Sequence, residues 1–243
     1  MSTVSETQLE HLFERARSNH FNEAEFYSGL LNAMLYVHAP VSDDSKNVRL
    51  IQFRLPGGFD AIPIFTSARR CARASSKAVR ALRLPCIDLL KGTKGATLMI
   101  NPNDGGPVLY PEEVTALLKN GTLGTFEKIE QAGGSWDVRL AEKPSRTIVD
   151  AVCTGAASVS FIKHVYLLEK LAPNSACDEA TLLIYLAVES THLERAARHM
   201  VQVLQSLNPR PDTIIDIAVY DIAQARPEFL DRMGAAPVFG QSG

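Results

Sequence analysis

The 243-residue chain lacks the features that usually mark a membrane, secreted or nucleic-acid-binding protein. No stretch approaches the ~18 apolar residues of a membrane span. The start of the chain lacks the apolar run of about 7–15 residues that a secretory signal requires. The formal net charge is −2, so the molecule as a whole shows no basic footprint for nucleic acid. We therefore expect a cytoplasmic protein with no membrane span and no nucleic-acid partner.

Cysteine is scarce, and its spacing argues against the common cysteine sites. The four cysteines are Cys71, Cys86, Cys153 and Cys177. No pair shows C-x2-C or C-x4-C spacing and no histidine pair lies near them, so we predict reduced thiols and no metal site. Two interpretations of Cys71 stay open. Neighbouring arginines would favour its thiolate, whereas a small core-facing thiol is the favoured alternative.

Catalytic signatures are also missing. The chain contains no G-x-S-x-G, G-x-x-x-x-G-K-[ST] or G-x-G-x-x-G string. His192 and His199 do not have the i, i+4 spacing of helical zinc ligands, which favours surface or interface histidines. The sequence therefore predicts no catalytic residue, no metal ligand and no cofactor. An enzyme would need a polar cluster built from distant residues, such as His38, Cys71, Glu112 and His164.

Hydrophobic periodicity predicts an α+β protein of two small α/β layered domains with mixed, partly antiparallel sheets. Strands are expected at Met34–His38, Val48–Leu55, Ala61–Phe65, Ala96–Ile100, Ile162–Leu171, Thr181–Val188 and Thr213–Tyr220. Helices are expected near the start, with Thr7 as cap, at Asn22–Leu31, from Ala68, from Ser75 or Ser76 to about Arg83, from Pro111, at Ser145–Ala157, from Thr191 and at Pro227–Met233. The pattern weakens between Gly121 and Pro144, where we place the domain boundary.

One string in the first half points to a known family. It comprises Ile62-Pro63-Ile64-Phe65-Thr66-Ser67, Leu98-Met99-Ile100-Asn101-Pro102 and Pro111-Glu112-Glu113. This string resembles the N-terminal domain of the SseB family, which is named for enhanced serine sensitivity. The second half is similar to that family's C-terminal domain in the order of its elements and in its ending, Ala236-Pro237-Val238-Phe239.

The resemblance implies an organisation more than an activity. It divides the chain into an N-terminal helix at 1–20, an SseB N-terminal-like domain at 21–125 and an SseB C-terminal-like domain at 144–243. It implies no catalytic residue. The family's links to serine tolerance and to secretion systems, including type III secretion, rest mostly on names.

The segment from Arg69 to Lys94 is strongly basic, with eight Lys and Arg residues against Asp88 alone. A continuous helix would bring several of these charges to one face, suited to an acidic partner, a phosphate-bearing ligand or RNA. No aromatic residues interleave with the charges, which disfavours a surface for stacking bases. Thr66 and Ser67 precede this helix, where free N–H groups attract anions, although ordinary capping is the alternative. A solvated helix face is the alternative for the charges. The candidate binding residues are Thr66, Ser67, Arg69, Arg70, Arg73, Lys77 and Arg80.

Three function hypotheses follow. The first is a non-catalytic interaction or accessory protein that docks a protein partner on the basic face or near the Ala236–Phe239 tail. The second is a small-molecule or anion sensor related to amino-acid metabolism. The third, and least favoured, is an enzyme of unrecognised type. A homodimer formed through the N-terminal helices is a further expectation.

Overall fold

The computed structural model describes residues 3–42, 47–54, 58–123, 137–171 and 180–241. It divides into two compact units, Met1–Thr125 and Phe126–Gly243. Each unit has one mixed sheet with helices packed on it, which confirms the α+β prediction. Cys177 and most of the expected boundary at 121–144 lie outside the described residues.

The first unit is built around a sheet with the strand order β4-β1-β3-β5-β6, and β2 pairs with β3. Its strands are β1 (Met34–Ala39), β2 (Phe53–Arg54), β3 (Asp60–Phe65), β4 (Arg80–Pro85), β5 (Thr97–Ile100) and β6 (Val108–Leu109). Its helices are α1 (Glu6–Ser18), α2 (Glu23–Leu31), α3 (Ala68–Arg73), α4 (Cys86–Gly92) and α5 (Pro111–Asn120), with 3₁₀ turns at His20–Asn22 and Pro102–Asp104. Strands β3 and β5 are parallel, and the other pairs are antiparallel.

Alternate residues of the strands separate the two faces of this sheet. Leu35 and Ile64 face the main core, which α1 joins through Leu9 and Phe13. The segment expected as a separate N-terminal helix therefore packs into the same core as the rest of the unit. The opposite face is covered by α3, where the ring of His38 lies within hydrogen-bonding distance of a backbone carbonyl of that helix (2.9 Å).

Three local predictions in the first unit were wrong. Among the described residues of the strand expected at Val48–Leu55, only Phe53–Arg54 forms a strand. Ser5, rather than Thr7, caps α1, and its side chain and that of Gln8 form a reciprocal capping box. The segment after Ser75 forms strand β4 instead of a helix ending near Arg83. The reason is a period of two, because Leu82 and Leu84 pack against the core while the residues between them are exposed.

The second unit contains a five-stranded sheet with the order β10-β9-β8-β11, and β7 pairs with β8. Its strands are β7 (Asp137–Leu140), β8 (Ile162–Leu171), β9 (Ala180–Val188), β10 (Ile215–Asp221) and β11 (Phe239–Gly240). Its helices are α6 (Arg146–Ala157), α7 (Leu193–Gln205) and α8 (Glu228–Arg232), with a 3₁₀ turn at Ser190–His192. Strand β10 runs parallel to β9, whereas β8 is antiparallel to its partners.

Helices α6 and α7 cover one face of this sheet, and Leu230 of α8 packs on the other. His199, expected at the surface, is buried, and its Nε2 lies 3.0 Å from the carbonyl of Gly155. The tail is part of the sheet, because Phe239 pairs with Val165 of β8. No helix among the described residues has the length and apolar character to cross a membrane.

Candidate functional site

The turns after β3 and β5 form the centre of the site. These strands are parallel, so their carboxyl ends meet at one edge of the sheet, where Thr66 and Asn101 follow. The Thr66 N–H donates to Asn101 Oδ1 (3.1 Å), and Asn101 Nδ2 donates to the Thr66 hydroxyl (2.8 Å). Both residues are completely buried, and Asn101 adopts the left-handed conformation that asparagine tolerates. The two turns are thus joined by a side-chain clamp.

A close backbone approach explains the glycine pair after this clamp. A Cβ on Gly106 would lie 1.9 Å from the carbonyl oxygen of Ile100, a distance that no side chain permits. Gly105 has a φ of 67°, which also favours glycine. The loop therefore turns back tightly enough to bring Asp104 beside α3.

Arg70 is the charged centre of the site, and only 8% of it is exposed. Its guanidinium donates to Glu10 (2.8 Å), Glu14 (2.7 Å) and Asp104 (2.6 Å). The same group lies 4.9 Å above the ring of Phe13. Each of the three guanidinium nitrogens of Arg70 contacts a carboxylate of the chain, so Arg70 is a structural ion-pair centre rather than an open binding group.

The partners of Arg70 belong to an acidic stripe on α1, formed by Glu6, Glu10 and Glu14. Their i, i+4 spacing places them on one side of the helix. Glu10 also accepts a hydrogen bond from the Thr66 hydroxyl. Glu6 accepts from the Ala68 N–H at the start of α3 (3.3 Å) and from the Tyr36 hydroxyl (2.9 Å). Carboxylates of the chain itself therefore contact the donors at which the sequence predicted an external anion.

The electrostatics agree with this geometry. Burial lowers the pKa of the Arg70 guanidinium, but the hydrogen bonds to Glu10, Asp104 and Glu14 outweigh burial and raise that pKa above its ordinary value. Burial raises the pKa of the nearby Cys71 thiol to about 11. Cys71 is thus a neutral core thiol near pH 7, which supports the core-facing interpretation over an activated thiolate.

The remaining predicted binding residues differ in their exposure to solvent. Ser67 is buried and caps α3 by accepting from the Arg70 N–H (3.3 Å). The other four are exposed, and we name them the basic margin: Arg69, Arg73, Lys77 and Arg80. The shared helical face does not form, because α3 ends at Arg73 and Arg80 begins β4.

The basic margin differs from Arg70 in its partners. None of its four side chains forms an ion pair with a described residue of the chain. The sequence neighbours Arg69 and Arg70 thus have opposite roles. The first is available at the surface, and the second holds the interior together.

Two surface depressions on the first unit were not expected from the sequence, and the larger borders the site at Phe13 and Gly105. The larger has a volume of about 690 Å³, with Phe13 and Phe26 among its apolar walls and Arg17 and Glu23 among its polar ones. The smaller, of about 330 Å³, is lined by Lys91, Lys94, Thr115, Leu118 and Lys119.

Two of the four polar residues named in advance for an enzyme are neighbours in the structure. His38 and Cys71 do come together, but the histidine faces the backbone carbonyl of Cys71. His164 belongs to the other unit. In the parts of the chain that the structure describes, no group of three His, Cys, Asp or Glu side chains is arranged to hold a metal ion.

The acidic stripe is the part of the site that sequence reasoning missed. The regular spacing of Glu6, Glu10 and Glu14 on a capped helix was the available signal. That spacing did not reveal the partner, because Arg70 lies on an element far along the chain.

The comparisons with known proteins find a family match in the first unit. Residues 9–116 match the family model described as the SseB protein N-terminal domain. This span contains Glu10, Thr66, Arg70, Asn101 and Asp104. Neither a curated protein nor a solved structure matches the chain. The second unit lies outside the matched span, so its likeness to the SseB C-terminal domain stays a prediction. The match covers less than half of the chain, so the likeness to the SseB family is established for residues 9–116.

Proposed function

We propose that this protein is a non-catalytic interaction protein that docks an acidic segment of a protein partner on the basic margin. One observation carries the proposal. Four exposed cations without an ion-pair partner among the described residues lie within the sequence segment 69–80, which also contains Arg70, whose charge is balanced internally. Local positive charge of this kind attracts acidic partners and orients their approach.

The support beneath the basic margin is firmly held. Helix α3 is fixed at its start by Ser67, at its centre by the Arg70 network and on its inner side by His38. Side chains on a fixed platform lose less conformational entropy on binding than those on a mobile loop. Arg69 and Arg73, one turn apart on α3, are therefore suited to contact a partner together.

The geometry favours this role over a small-anion sensor. An external anion at the start of α3 would have to displace Glu6 from Ala68 and Glu10 from Thr66. The basic margin requires no such displacement. A partner in serine metabolism or in a secretion system would fit the family name, and capture from cells grown with and without added serine tests the first link.

The experiment measures binding of fluorescently labelled polyglutamate to the full chain by anisotropy. The variant Arg69→Glu/Arg73→Glu/Lys77→Glu is expected to weaken binding about tenfold, since exposed ion pairs contribute about 0.5 kcal/mol each. Lys91→Glu/Lys94→Glu/Lys119→Glu changes the net charge equally and is the matched control. Equal weakening by both variants would mean that only net charge matters and would contradict the proposal.

A further inference from the structure

Strand β10 forms an outer edge of the second sheet. Its described partner is β9 alone. The Ile222 N–H, just beyond the strand, donates to the carbonyl of Val188 in β9 (3.0 Å). Backbone groups alternate between the two sides of a strand, so every second residue points its N–H and C=O toward β9. The alternate residues, Ile215, Ile217, Val219 and Asp221, direct theirs toward the open edge.

This edge has fewer of the devices that usually prevent pairing than an edge of the first sheet has. Natural edge strands carry charged side chains, especially Lys, or Pro or a bulge. At β4, an outer strand of the first sheet, Arg80, Arg83 and Pro85 have this protective character. Strand β10 carries no Lys, Arg or Pro over its seven positions, IDIAVYD, and its charged residues are Asp216 and Asp221.

Most side chains of β10 are apolar, and an exposed isoleucine lies at each end of the strand. Ile214 is 76% exposed at one end of β10, and Ile222 is 41% exposed at the other. The two acids do not oppose pairing, because Asp216 is already bonded to Lys170 (2.5 Å) and Asp221 accepts from the Ser190 hydroxyl (2.7 Å).

We propose that β10 pairs antiparallel with β10 of a second copy of this chain, with Ala218 on the two-fold axis. In this register Ile217, whose backbone N–H and C=O point to the open edge, lies opposite Val219 of the other copy. Ile215 lies opposite Asp221. Ile214 then meets Ile222 at both ends, and Asp216 lies opposite Tyr220. The two five-stranded sheets become one continuous sheet.

The sequence of β10 indicates that the strand pairing with its open edge is β10 of a second copy of this chain. An antiparallel homodimer places one residue against itself, and Ala218 is the smallest side chain in the strand. No acid faces an acid in this register. Registers centred on Ile217 or Val219 would also allow the backbone hydrogen bonds to form. In those registers, however, Ile214 of one copy no longer lies opposite Ile222 of the other. This interface differs from the N-terminal helices expected from the sequence, and it does not depend on the basic margin.

The test is the dissociation constant of the full chain, measured by sedimentation over a range of concentrations. The native chain is expected to dimerise. Ile214→Lys/Ile222→Lys places like charges opposite each other and is expected to weaken the dimer at least tenfold. Ile214→Lys/Ile222→Glu places Lys opposite Glu twice and is expected to restore it. Val41→Lys, at an exposed valine of the first unit, is the control and is expected to leave the dimer intact.

Circular dichroism verifies that each variant is folded. A monomeric native chain at every concentration would overturn the proposal, as would a dimer that tolerates Ile214→Lys/Ile222→Lys. Equal weakening by both double variants would overturn the register. Loss of the dimer in Val41→Lys would place the contact in the first unit and also contradict the proposal.

Discussion

At the scale of single residues, burial decides what a charge does in this protein. Arg69 and Arg70 are adjacent, yet only Arg70 is enclosed by three carboxylates. Sequence reasoning identified both as basic but assigned both to the surface, because the carboxylates lie on α1 and on the loop after β5. A charge in a basic run is usually solvated, so the exception required knowledge of the tertiary contacts.

Arg70→Ala is expected to destabilise the protein by about 2–3 kcal/mol. The change leaves Glu10 without its partner in a largely buried position, and the partial exposure of Glu14 and Asp104 keeps the cost below that of a fully buried pair. Urea unfolding of the full chain measures the loss. Arg69→Ala, the matched control on the surface, is expected to stay within about 0.5 kcal/mol of the native chain. Similar losses from both changes would contradict the role given to Arg70.

Stability above neutral pH is expected to depend on the buried thiols. Burial raises the pKa of Cys71 to about 11 and that of Cys86 to about 12, from an ordinary value of 9.0. Both folded pKa values lie above the unfolded value, so this stabilisation is complete below pH 9 and is lost as pH rises toward the folded values. Each thiol is expected to contribute a slope approaching ~1.4 kcal/mol per pH unit in that window.

The measurement is the free energy of unfolding at several pH values from 8 to 11. Cys71→Ala/Cys86→Ala is expected to flatten the decline, whatever its own offset in stability. Cys153→Ala removes a partly exposed thiol whose pKa burial and Asp150 also raise, and it is measured alongside for comparison. A decline of unchanged slope in the double variant would show that other groups cause it.

At the scale of helices and strands, the sequence predicted well those elements that are defined by the hydrophobic pattern or the cap residues of their own segment. Strand β8 has the expected bounds, and α5 begins at its proline. Strand β4 was mistaken for a helix because Ser75 and Ser76 look like caps. What makes it a strand is its pairing with β1 at six positions, a long-range contact that no local pattern contains. The turns at Thr66 and Asn101 are adjacent because the parallel strands β3 and β5 bring their carboxyl ends together.

The loop after β5 provides a direct test of backbone packing. Gly106→Ala is expected to cost about 2–3 kcal/mol, since its Cβ would collide with the carbonyl of Ile100. Gly92→Ala at the end of α4 meets no atom within 4 Å and is the matched control, expected to be neutral or slightly stabilising. Thermal and urea unfolding of both variants check the difference. A tolerated alanine at Gly106 would mean that the loop can move away from Ile100.

At the scale of the whole molecule, the two units have separate cores. We expect a fragment of residues 1–125 to fold alone and a fragment of residues 21–125 to fail. The shorter fragment lacks Leu9 and Phe13 from the core and Glu10 and Glu14 from Arg70. Circular dichroism and cooperative unfolding of the purified fragments measure the outcome. A folded 21–125 fragment would show that α1 is dispensable and that the domain begins after it, as the sequence predicted.

Helix α3 carries Arg69 and Arg73 of the basic margin and contacts the acidic stripe through Arg70, which has one more consequence. The negative charges of the acidic stripe and the positive charges of the basic margin give the first unit a local electric dipole, although the net charge of the chain is only −2. An acidic partner would be turned toward the basic side before contact, within the Debye length of about 8 Å at physiological ionic strength. A change that neutralises the acidic stripe should therefore alter how fast a partner arrives, even though the stripe itself does not touch that partner.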